Sequence, residues 1–435
     1  MSKEQLPTGW RKVKVEDISL RDKGSIVSGP FGSNIGKRFF VGKGIPVIRG
    51  NNLREGDKKF IDEGFVYVTE AKAYELRNCE ARSGDVVFTA AGTLGQVGII
   101  PPNAKYAKYI ISNKQLRLRI DVSVAEPDYV YYWFASPTMR RYVANQNTGA
   151  SVPLITLGIL RKLPVKLPPL PVQRKISAVL SAYDDLIENN LRRIAILEEM
   201  ARLIYREWFV KFRFPGHEGV VMTDSPLGPI PVGWEVRKAT DALLVDPRTV
   251  ASKDDEKPFV PMSALSDNSM VISNVEHRSG SSGSKFKNGD TLFARITPCL
   301  ENGKTGFVQF MASDDEIACG STEFIVLRSR TLCPEYVYVM ARSDDFRDNA
   351  IKSMTGASGR QRVQKSCFDK SLFPHPDHHI LRMFSGEVSP MFRAIQLHCE
   401  KNDCLRRTRD LLLPRLISGE LDVSELDIDV GGPAA

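Results

Sequence analysis

The sequence lacks the features of a secreted or membrane protein. No run approaches the roughly 18 apolar residues that a membrane span needs, and the first ten residues contain no apolar signal core. The seven cysteines are an odd number with scattered spacing, and no C-x-x-C pair occurs. This usage is typical of reduced thiols rather than of a disulfide framework. We therefore expect a cytoplasmic protein without a membrane partner.

Motifs for catalysis are also missing. The tripeptide Gly-Lys-Thr at 303–305 resembles the end of a P-loop, but Pro298 stands where that motif needs glycine. The glycine-rich segment 29–36 lacks the G-x-G-x-x-G spacing of a dinucleotide site. The methyltransferase tetrapeptide Asp/Asn-Pro-Pro-Tyr/Phe does not occur. Three histidines lie within 375–379, but no second Cys/His cluster accompanies them, which favours a solvated loop. We predict no catalytic residue, no metal and no cofactor bound by this chain.

The chain does contain an internal duplication. A Pro-x-Gly-Trp motif occurs at 7–10 and at 231–234, and Thr-Gly-Ala-Ser occurs at 148–151 and at 355–358, an offset of 207 residues. Gly-Asp at 84–85 returns at 289–290. Lys and Arg number 60 against 52 for Asp and Glu, giving a net charge of +8, and basic residues cluster at 37–59, 103–119 and 351–370. Pseudo-two-fold symmetry and a basic balance suit a ligand that is itself two-fold and acidic, namely duplex DNA.

A heptad pattern predicts one long helix and a weaker copy of it. Apolar residues recur in alternating steps of four and three from 176 to 208, a seam of about 33 residues or ~50 Å. The same positions shifted by 208 form a second stripe, which Gly386, Pro390 and Pro414 should bend or interrupt. Neither helix can bury its stripe alone, so we predict an antiparallel coiled coil whose polar seam residues fix the register. The predicted seam consists of Ile176, Leu180, Tyr183, Ile187, Asn190, Ile194, Leu197, Ile204, Phe384, Val388, Met391, Ile395, His398, Asn402, Leu405, Leu412 and Leu416.

The predicted fold class is α/β (α+β), in the order globule, long helix, globule, long helix. Residues 128–142, opened by a proline, are predicted as one helix, and 335–348 as its counterpart. We place the boundaries at 1–165, 166–214, 215–371 and 372–425, followed by a flexible tail at 426–435.

Three stretches together carry a family resemblance. They are the linker Trp-Phe-Val-Lys-Phe-Arg-Phe-Pro-Gly-His-Glu at 208–218, the Leu-Leu-Leu-Pro-Arg-Leu-Ile-Ser-Gly-Glu segment at 411–420, and the domain segments at 44–51 and 295–305. In this order, and with the duplication, the chain resembles the specificity subunit of Type I restriction–modification enzymes along essentially its whole length.

The resemblance implies two target-recognition domains, at 1–165 and 215–371, each reading one half of a split DNA sequence. It implies two helical spacer regions and three kinds of partner: double-stranded DNA, two modification subunits and restriction subunits. The modification subunits would bind S-adenosylmethionine and methylate adenine, and the restriction subunits would use ATP, with Mg also expected on partners. A specificity subunit of a methylation-only or phage-defence complex is the alternative. A lone methyltransferase or nuclease and a coiled-coil scaffold are the rival classes.

Candidate DNA contacts are basic and amide side chains in loops, since Arg or Lys pairs with guanine and Asn or Gln with adenine. Each could equally be a turn residue or a phosphate contact. The two Thr-Gly-Ala-Ser repeats suit a role shared by both halves, either a backbone contact or a structural turn. The candidates are Ser33, Asn34, Lys37, Arg49, Asn51, Asn52, Lys58, Lys59, Thr93, Arg295, Asn302, Lys304, Arg360 and Gln361.

Overall fold

The computed structural model describes residues 6–53, 57–149, 151–357 and 359–430. Ala150 and Ser358 of the repeated tetrapeptides, and 431–435 of the predicted tail, lie outside the described residues. The chain divides into two compact units, unit 1 with residues 1–189 and 402–435 and unit 2 with residues 190–401. Each unit therefore contains one globular part and about half of each long helix. Among the described residues, no helix is long and apolar enough to cross a membrane.

The first half of the chain forms ten strands and five α-helices within the described ranges, and the last of these helices continues into unit 2. The elements are β1 Arg11–Lys14, β2 Ile26–Ser28, β3 Ile45–Ile48, β4 Val66–Val68, α1 Glu70–Glu75, β5 Glu80–Ala81, β6 Val86–Thr89, β7 Val97–Ile99, β8 Tyr109–Ile111, β9 Gln115–Leu118, α2 Pro127–Ala135, α3 Pro137–Ala144, α4 Leu157–Lys162, β10 Pro164–Leu167 and α5 Leu170–Tyr205.

The second half repeats this series, and its last helix returns into unit 1. A short π-helix, Arg206–Val210, continues α5. The elements are β11 Met222–Thr223, β12 Ile230–Pro231, β13 Glu235–Lys238, α6 Ala239–Ala242, β14 Leu243–Val245, β15 Lys257–Val260, β16 Glu276–Arg278, β17 Ser284–Phe286, β18 Thr291–Ala294, β19 Thr305–Phe307, β20 Ala318–Gly320, β21 Phe324–Ser329, α7 Pro334–Arg342, α8 Asp344–Lys352, α9 Cys367–Lys370, β22 Leu372–His375 and α10 His378–Ser418.

The sheets of the two units have the same topology, which confirms the duplication and the mixed α/β fold. Unit 1 has sheets of order β2-β9-β6-β7 and β4-β3-β8-β5, and unit 2 has β14-β21-β18-β19 and β16-β15-β20-β17. In both units the first sheet is antiparallel and the second contains one parallel pair, β3 with β8 or β15 with β20. The entering and leaving strands also pair, β1 with β10 and β13 with β22.

The repeated Gly-Asp dipeptide has a structural explanation. Asp85 accepts a hydrogen bond from the backbone N–H of Arg82 at 2.9 Å and binds Arg119 through both carboxylate oxygens at 2.9 and 2.7 Å. Asp290 repeats the arrangement with Lys287 and Arg328. Both aspartates are about 1% exposed, and the paired arginines satisfy their buried charges.

The single helices predicted at 128–142 and 335–348 are each divided into two helices, so that prediction was wrong. Ser136 lies in extended backbone between α2 and α3, and its hydroxyl accepts the N–H of Met139. The residue before a proline avoids the helical region, and Pro137 follows Ser136 directly. Ser343 caps α8 in the same way, accepting the N–H of Phe346.

The long helices pack antiparallel, as predicted. In unit 1 the first half of α5 and the second half of α10 share a core that contains Ile176, Leu180 and Leu416. In unit 2 the second half of α5 packs with the first half of α10, through residues such as Ile194 and Phe384. The predicted seam positions are buried or half-buried on both helices.

The expected bends in the second long helix do not interrupt it. One α-helix runs from His378 to Ser418 through Pro390 and Pro414. Both prolines are exposed, and so are Gly386 and Asp410, whose carbonyls lose their intrahelical partners. Water can satisfy carbonyls on the exposed side of a helix, so the helix continues.

Candidate nucleic-acid interface

One end of the unit 1 sheets gathers most of the predicted contact residues. Strand register places the ends of β2 and β6 beside the starts of β9 and β7. The parallel strands β3 and β8 end at the same side, where the N–H of Ser112 donates to the carbonyl of Ile48 at 2.9 Å. We name the surface formed by the described residues of the segments 29–38, 49–53, 90–96, 112–114 and 147–155 strand-end face 1.

The sequence of strand-end face 1 gives it a single sign of charge. Its five segments contain four basic residues and no Asp or Glu. Such a surface favours phosphate groups, and an attraction of this kind weakens as the salt concentration rises. The four basic residues are Lys37, Arg38, Arg49 and Lys114.

The loop after β2 carries Ser33, Asn34 and Lys37, all of which are exposed. The backbone N–H of Asn34 donates to the carbonyl of Phe31 at 2.8 Å, and the guanidinium of Arg38 donates to the carbonyl of Ser33 at 2.8 Å. These bonds hold the loop in shape and leave the side chains of Ser33 and Asn34 directed to its exposed surface.

The three predicted contact residues after β3 differ in their burial. Asn52 is fully buried, and its amide donates to the carbonyls of Ile61 and Glu63 at 2.9 and 3.0 Å. Its side-chain oxygen accepts the N–H of Arg49 at 3.0 Å. Asn52 thus shapes the turn, while Asn51 is exposed and Arg49 half-buried on strand-end face 1.

Thr93 lies beside the first Thr-Gly-Ala-Ser loop. The N–H of Gly92 donates to the carbonyl of Pro153 at 3.0 Å, and Thr148 bonds the carbonyl of Leu154 through its backbone N–H at 2.9 Å. Thr93 is exposed. The structure therefore joins the segments 90–96 and 147–155 into one part of strand-end face 1.

Lys58 and Lys59 lie elsewhere, toward the helices. The carbonyl of Lys59 accepts the N–H of Ile99, at the far end of β7. The ammonium of Lys59 lies 2.6 Å from Asp128 and donates to the hydroxyl of Ser181 on α5 at 2.8 Å. Lys59 is thus held in an internal ion pair, whereas Lys58 is exposed.

Unit 2 has the corresponding surface. The end of β14 lies beside the start of β21, and the end of β18 beside the starts of β21 and β19. We name the surface formed by the described residues of the segments 246–250, 261–265, 295–304, 321–323 and 355–363 strand-end face 2. Its segments contain five basic and three acidic residues, so it is less uniformly basic than strand-end face 1.

Three predicted residues meet on strand-end face 2. The N–H of Thr297 donates to the carbonyl of Gln361 at 3.1 Å, which ties the loop after β18 to the second Thr-Gly-Ala-Ser loop. Arg295 lies at the start of the first loop, 3.9 Å from Glu323, and Arg360 is exposed on the second. The structure therefore brings Arg295, Arg360 and Gln361 together.

Asn302 and Lys304 differ in what their side chains can reach. Asn302 is exposed. The ammonium of Lys304 donates to the carbonyls of Leu265 at 2.7 Å and Met262 at 3.4 Å. Lys304 is thereby engaged inside the domain.

The list of candidate residues from the sequence missed three basic residues and two acidic residues of this region. Arg362 binds Glu323 at 2.7 Å, and the hydrogen bond lowers the pKa of that carboxyl. Arg248 is exposed on the loop after β14, and Lys365 forms an ion pair with Asp246 of the same loop. The basic residues of 355–365 were a visible signal, but their acidic partners come from loops distant in sequence.

The histidine-rich segment is not the solvated loop that was expected. His375 is 5% exposed in β22, and its Nε2 lies 2.8 Å from the hydroxyl of Thr331. Among the described residues, no group of three or more His, Cys, Asp or Glu side chains could hold a metal ion.

Comparisons with known proteins match this chain to one family. Residues 7–199 match the family described as Type I restriction modification DNA specificity domain. The chain is 26% identical over 441 residues to the Type I restriction enzyme MjaIX specificity subunit of Methanocaldococcus jannaschii, covering 97% of this chain and 96% of that protein. It is 28% identical over 256 residues to the EcoAI specificity subunit of Escherichia coli, covering 57% of this chain and 41% of that protein.

The fold has a counterpart among solved structures. The crystal structure of the Type I restriction–modification S subunit from M. genitalium aligns with a TM-score of 0.56 and 11% identity, covering 95% of this chain and 97% of that one. This likeness concerns the fold, and it agrees with the full-length sequence match. Residues 7–199 thus carry a Type I restriction–modification DNA specificity domain, and the chain has the DNA sequence-specificity role of a Type I specificity subunit, which is not the catalytic component.

Proposed function

We propose that each strand-end face reads one half of a bipartite DNA target. The observation that carries the proposal is the repetition of one sheet edge in two units, together with the four basic and no acidic residues in the segments of strand-end face 1. Positive side chains neutralise phosphates and release counterions, while amides and arginines read base edges.

The contacts in the structure narrow the candidates within this proposal. Lys37, Arg38 and Lys114 are exposed and basic, and they are suited to phosphates. Exposed or half-buried polar groups on the two faces are suited to bases. These are Ser33, Asn34, Arg49, Asn51, Thr93, Arg295, Asn302, Arg360 and Gln361. Asn52, Lys59 and Lys304 fall outside the proposal, because their polar atoms bind groups inside the protein.

The modular test is an exchange of residues 1–165 for the same region of a relative. Only one half of the methylated sequence should change, because each face belongs to its own unit. Methylome sequencing of cells that carry the complete system gives the motif directly. A change in both halves, or in the gap between them, would contradict independent reading.

We further propose that the helix pair sets the gap between the half-sites. Four extra residues after Asn190 lengthen α5 by about 6 Å, which is roughly one helical turn. Such an insertion is a stutter, and it keeps the apolar seam on the same face of the helix. The motif should keep its bases while the gap lengthens by one or two base pairs. The same insertion after the exposed Asp314 is the control, and it should leave the gap unchanged. An unchanged gap in the variant with four residues inserted after Asn190 would refute the proposal that the helix pair sets the gap.

The proposed partners are two modification subunits and, where restriction occurs, restriction subunits. S-adenosylmethionine, ATP and Mg would reside on those partners. The exposed apolar stripe Ile196, Met200, Leu203 and Val210 on α5 and its π-helical end supports a protein contact there, with exposures of 52, 42, 38 and 51%. Purified alone, the chain should methylate no DNA, and methylation should appear when the modification subunit is added.

A further inference from the structure

We propose that Phe31 inserts its ring into the DNA half-site read by strand-end face 1 and unstacks one base step there. This inference rests on the proposed function of that face. It assigns a separate role, deformation of the duplex, to a residue that neither charge nor hydrogen bonding selects.

Phe31 is a large apolar side chain that is exposed to water rather than buried. It is 84% exposed, the highest value among the exposed large apolar residues of the described chain. Single exposed apolar residues are ordinary on protein surfaces. Phe31, however, projects from a face whose five segments carry four basic residues and no acid.

The backbone beneath Phe31 is closely fixed. A side chain at Gly29 would lie 1.8 Å from the carbonyl oxygen of Ser112, so only glycine fits this approach to the turn before β9. The N–H of Gly29 donates to the carbonyl of Gln115 at 2.9 Å. The ring of Pro30 restricts its own φ angle, and the N–H of Asn34 donates to the carbonyl of Phe31. A wedge must keep its position when it meets stacked bases, and this loop is built to do so.

The groups around Phe31 suit the edges and backbone of a nucleic acid. Ser33, Asn34 and Asn113 are exposed, and Lys37 and Lys114 add exposed positive charge. Apolar wedges between base steps operate beside such polar and basic side chains, which hold the deformed duplex.

The second unit repeats the arrangement in a smaller form. The loop after β14 is topologically equivalent to the loop after β2. It presents Val250, which is 74% exposed, close in sequence to the exposed Arg248. An exposed apolar side chain therefore recurs in the equivalent loop of the duplicated fold, although it differs in size and in its distance from the end of the strand.

The test measures DNA unstacking and affinity in the full chain with its modification subunits. The probe is a duplex containing the methylated motif, with 2-aminopurine placed in turn at positions of the half-site assigned to residues 1–165. The wild type should raise 2-aminopurine fluorescence at one step. Phe31→Ala should abolish this rise and weaken binding to the motif by roughly ten-fold, within the range of aromatic–base stacking. Phe31→Trp should retain both properties.

Two controls separate this role from general effects. Tyr74 is another exposed ring, at 71%, but it lies on α1, which follows the opposite end of the sheet. Tyr74→Ala should leave fluorescence and affinity unchanged. The thermal midpoint of Phe31→Ala should equal that of the wild type, since an exposed ring contributes little to the core.

The outcomes distinguish the inference from the function on which it rests. If the wild type methylates and prefers a motif, but Phe31→Ala keeps the fluorescence rise and its affinity within two-fold, the inference is overturned and the proposed function stands. Reduced methylation with unchanged DNA binding would place Phe31 against a partner subunit and also overturn it. If the wild-type assembly prefers no motif, both proposals fail.

Discussion

Replacing Arg409 with alanine should destabilise unit 1 by about 3–5 kcal/mol, the usual result of removing one partner from a buried ion pair. Arg409 on α10 lies 2.8 Å from Asp184 on α5, and the two side chains are 13% and 9% exposed. The hydroxyl of Tyr132 donates to the other oxygen of Asp184 at 2.5 Å. Burial acts to lower the pKa of Arg409, but the hydrogen bonds and negative charges of Asp184 and Asp410 together outweigh it and the pKa is raised. Without Arg409, the carboxylate keeps its desolvation cost and loses its opposite charge.

The assay combines urea unfolding with amide hydrogen exchange of residues 170–189. A loss of 3 kcal/mol should accelerate exchange from the globally protected amides by more than roughly 100-fold. Arg407→Ala is the matched control, since Arg407 is exposed on the same helix, and its effect should stay within about 0.5 kcal/mol. If Arg409→Ala costs less than about 1 kcal/mol, the pair is not a buried charge pair in solution and the reasoning fails.

Unit 2 supplies a second check on the same pair. The offset of 207 maps Tyr132 onto Val339, and the offset of 208 between the long helices maps Asp184 and Arg409 onto Phe392 and Ala201. These three residues line one small cavity of unit 2. A triple variant that carries these apolar residues in unit 1 should be more stable than Arg409→Ala, because no charge is left unpaired. If the triple variant were as unstable as Arg409→Ala, lost packing rather than an unpaired charge would account for the instability of Arg409→Ala.

Three further outcomes are expected. Lys59→Met should lower the stability of unit 1 by about 1–3 kcal/mol in urea unfolding, because it leaves Asp128 unpaired, and should leave the salt dependence of DNA binding unchanged; a smaller salt slope would make Lys59 a phosphate contact. Lys37→Ala should weaken binding to every duplex alike and reduce the slope of log K against log salt by about 0.9; a loss confined to the cognate site would make Lys37 a base reader. Burial and the charge of Arg237 lower the pKa of His375, so the unfolded state takes up its proton first and stability should fall as pH drops below about 6.5. His375→Gln should reduce that fall between pH 8 and pH 5.5, and an unchanged urea midpoint profile would contradict the assignment.

The sequence by itself determined the features that depend on repetition along the chain. A heptad seam is a local period, so the burial of one stripe on each long helix follows from the spacing of residues such as Ile176 and Phe384. The duplication could be read directly, and the sheets repeat it. The candidate residues Ser33 and Arg360 could be named from their type and loop position, because exposed loops carry binding groups.

Tertiary structure alone decided which polar side chains are exposed for binding and which are paired inside the protein. Lys58 and Lys59 are neighbours of the same type, yet only Lys59 meets Asp128, 69 residues away. The helix break at Ser136 followed from a cap and a proline that were visible but outweighed by an apolar run. Helical and strand periods act over a few residues, whereas the pairing of a buried charge depends on chain segments that only the folded sheets and helices bring together.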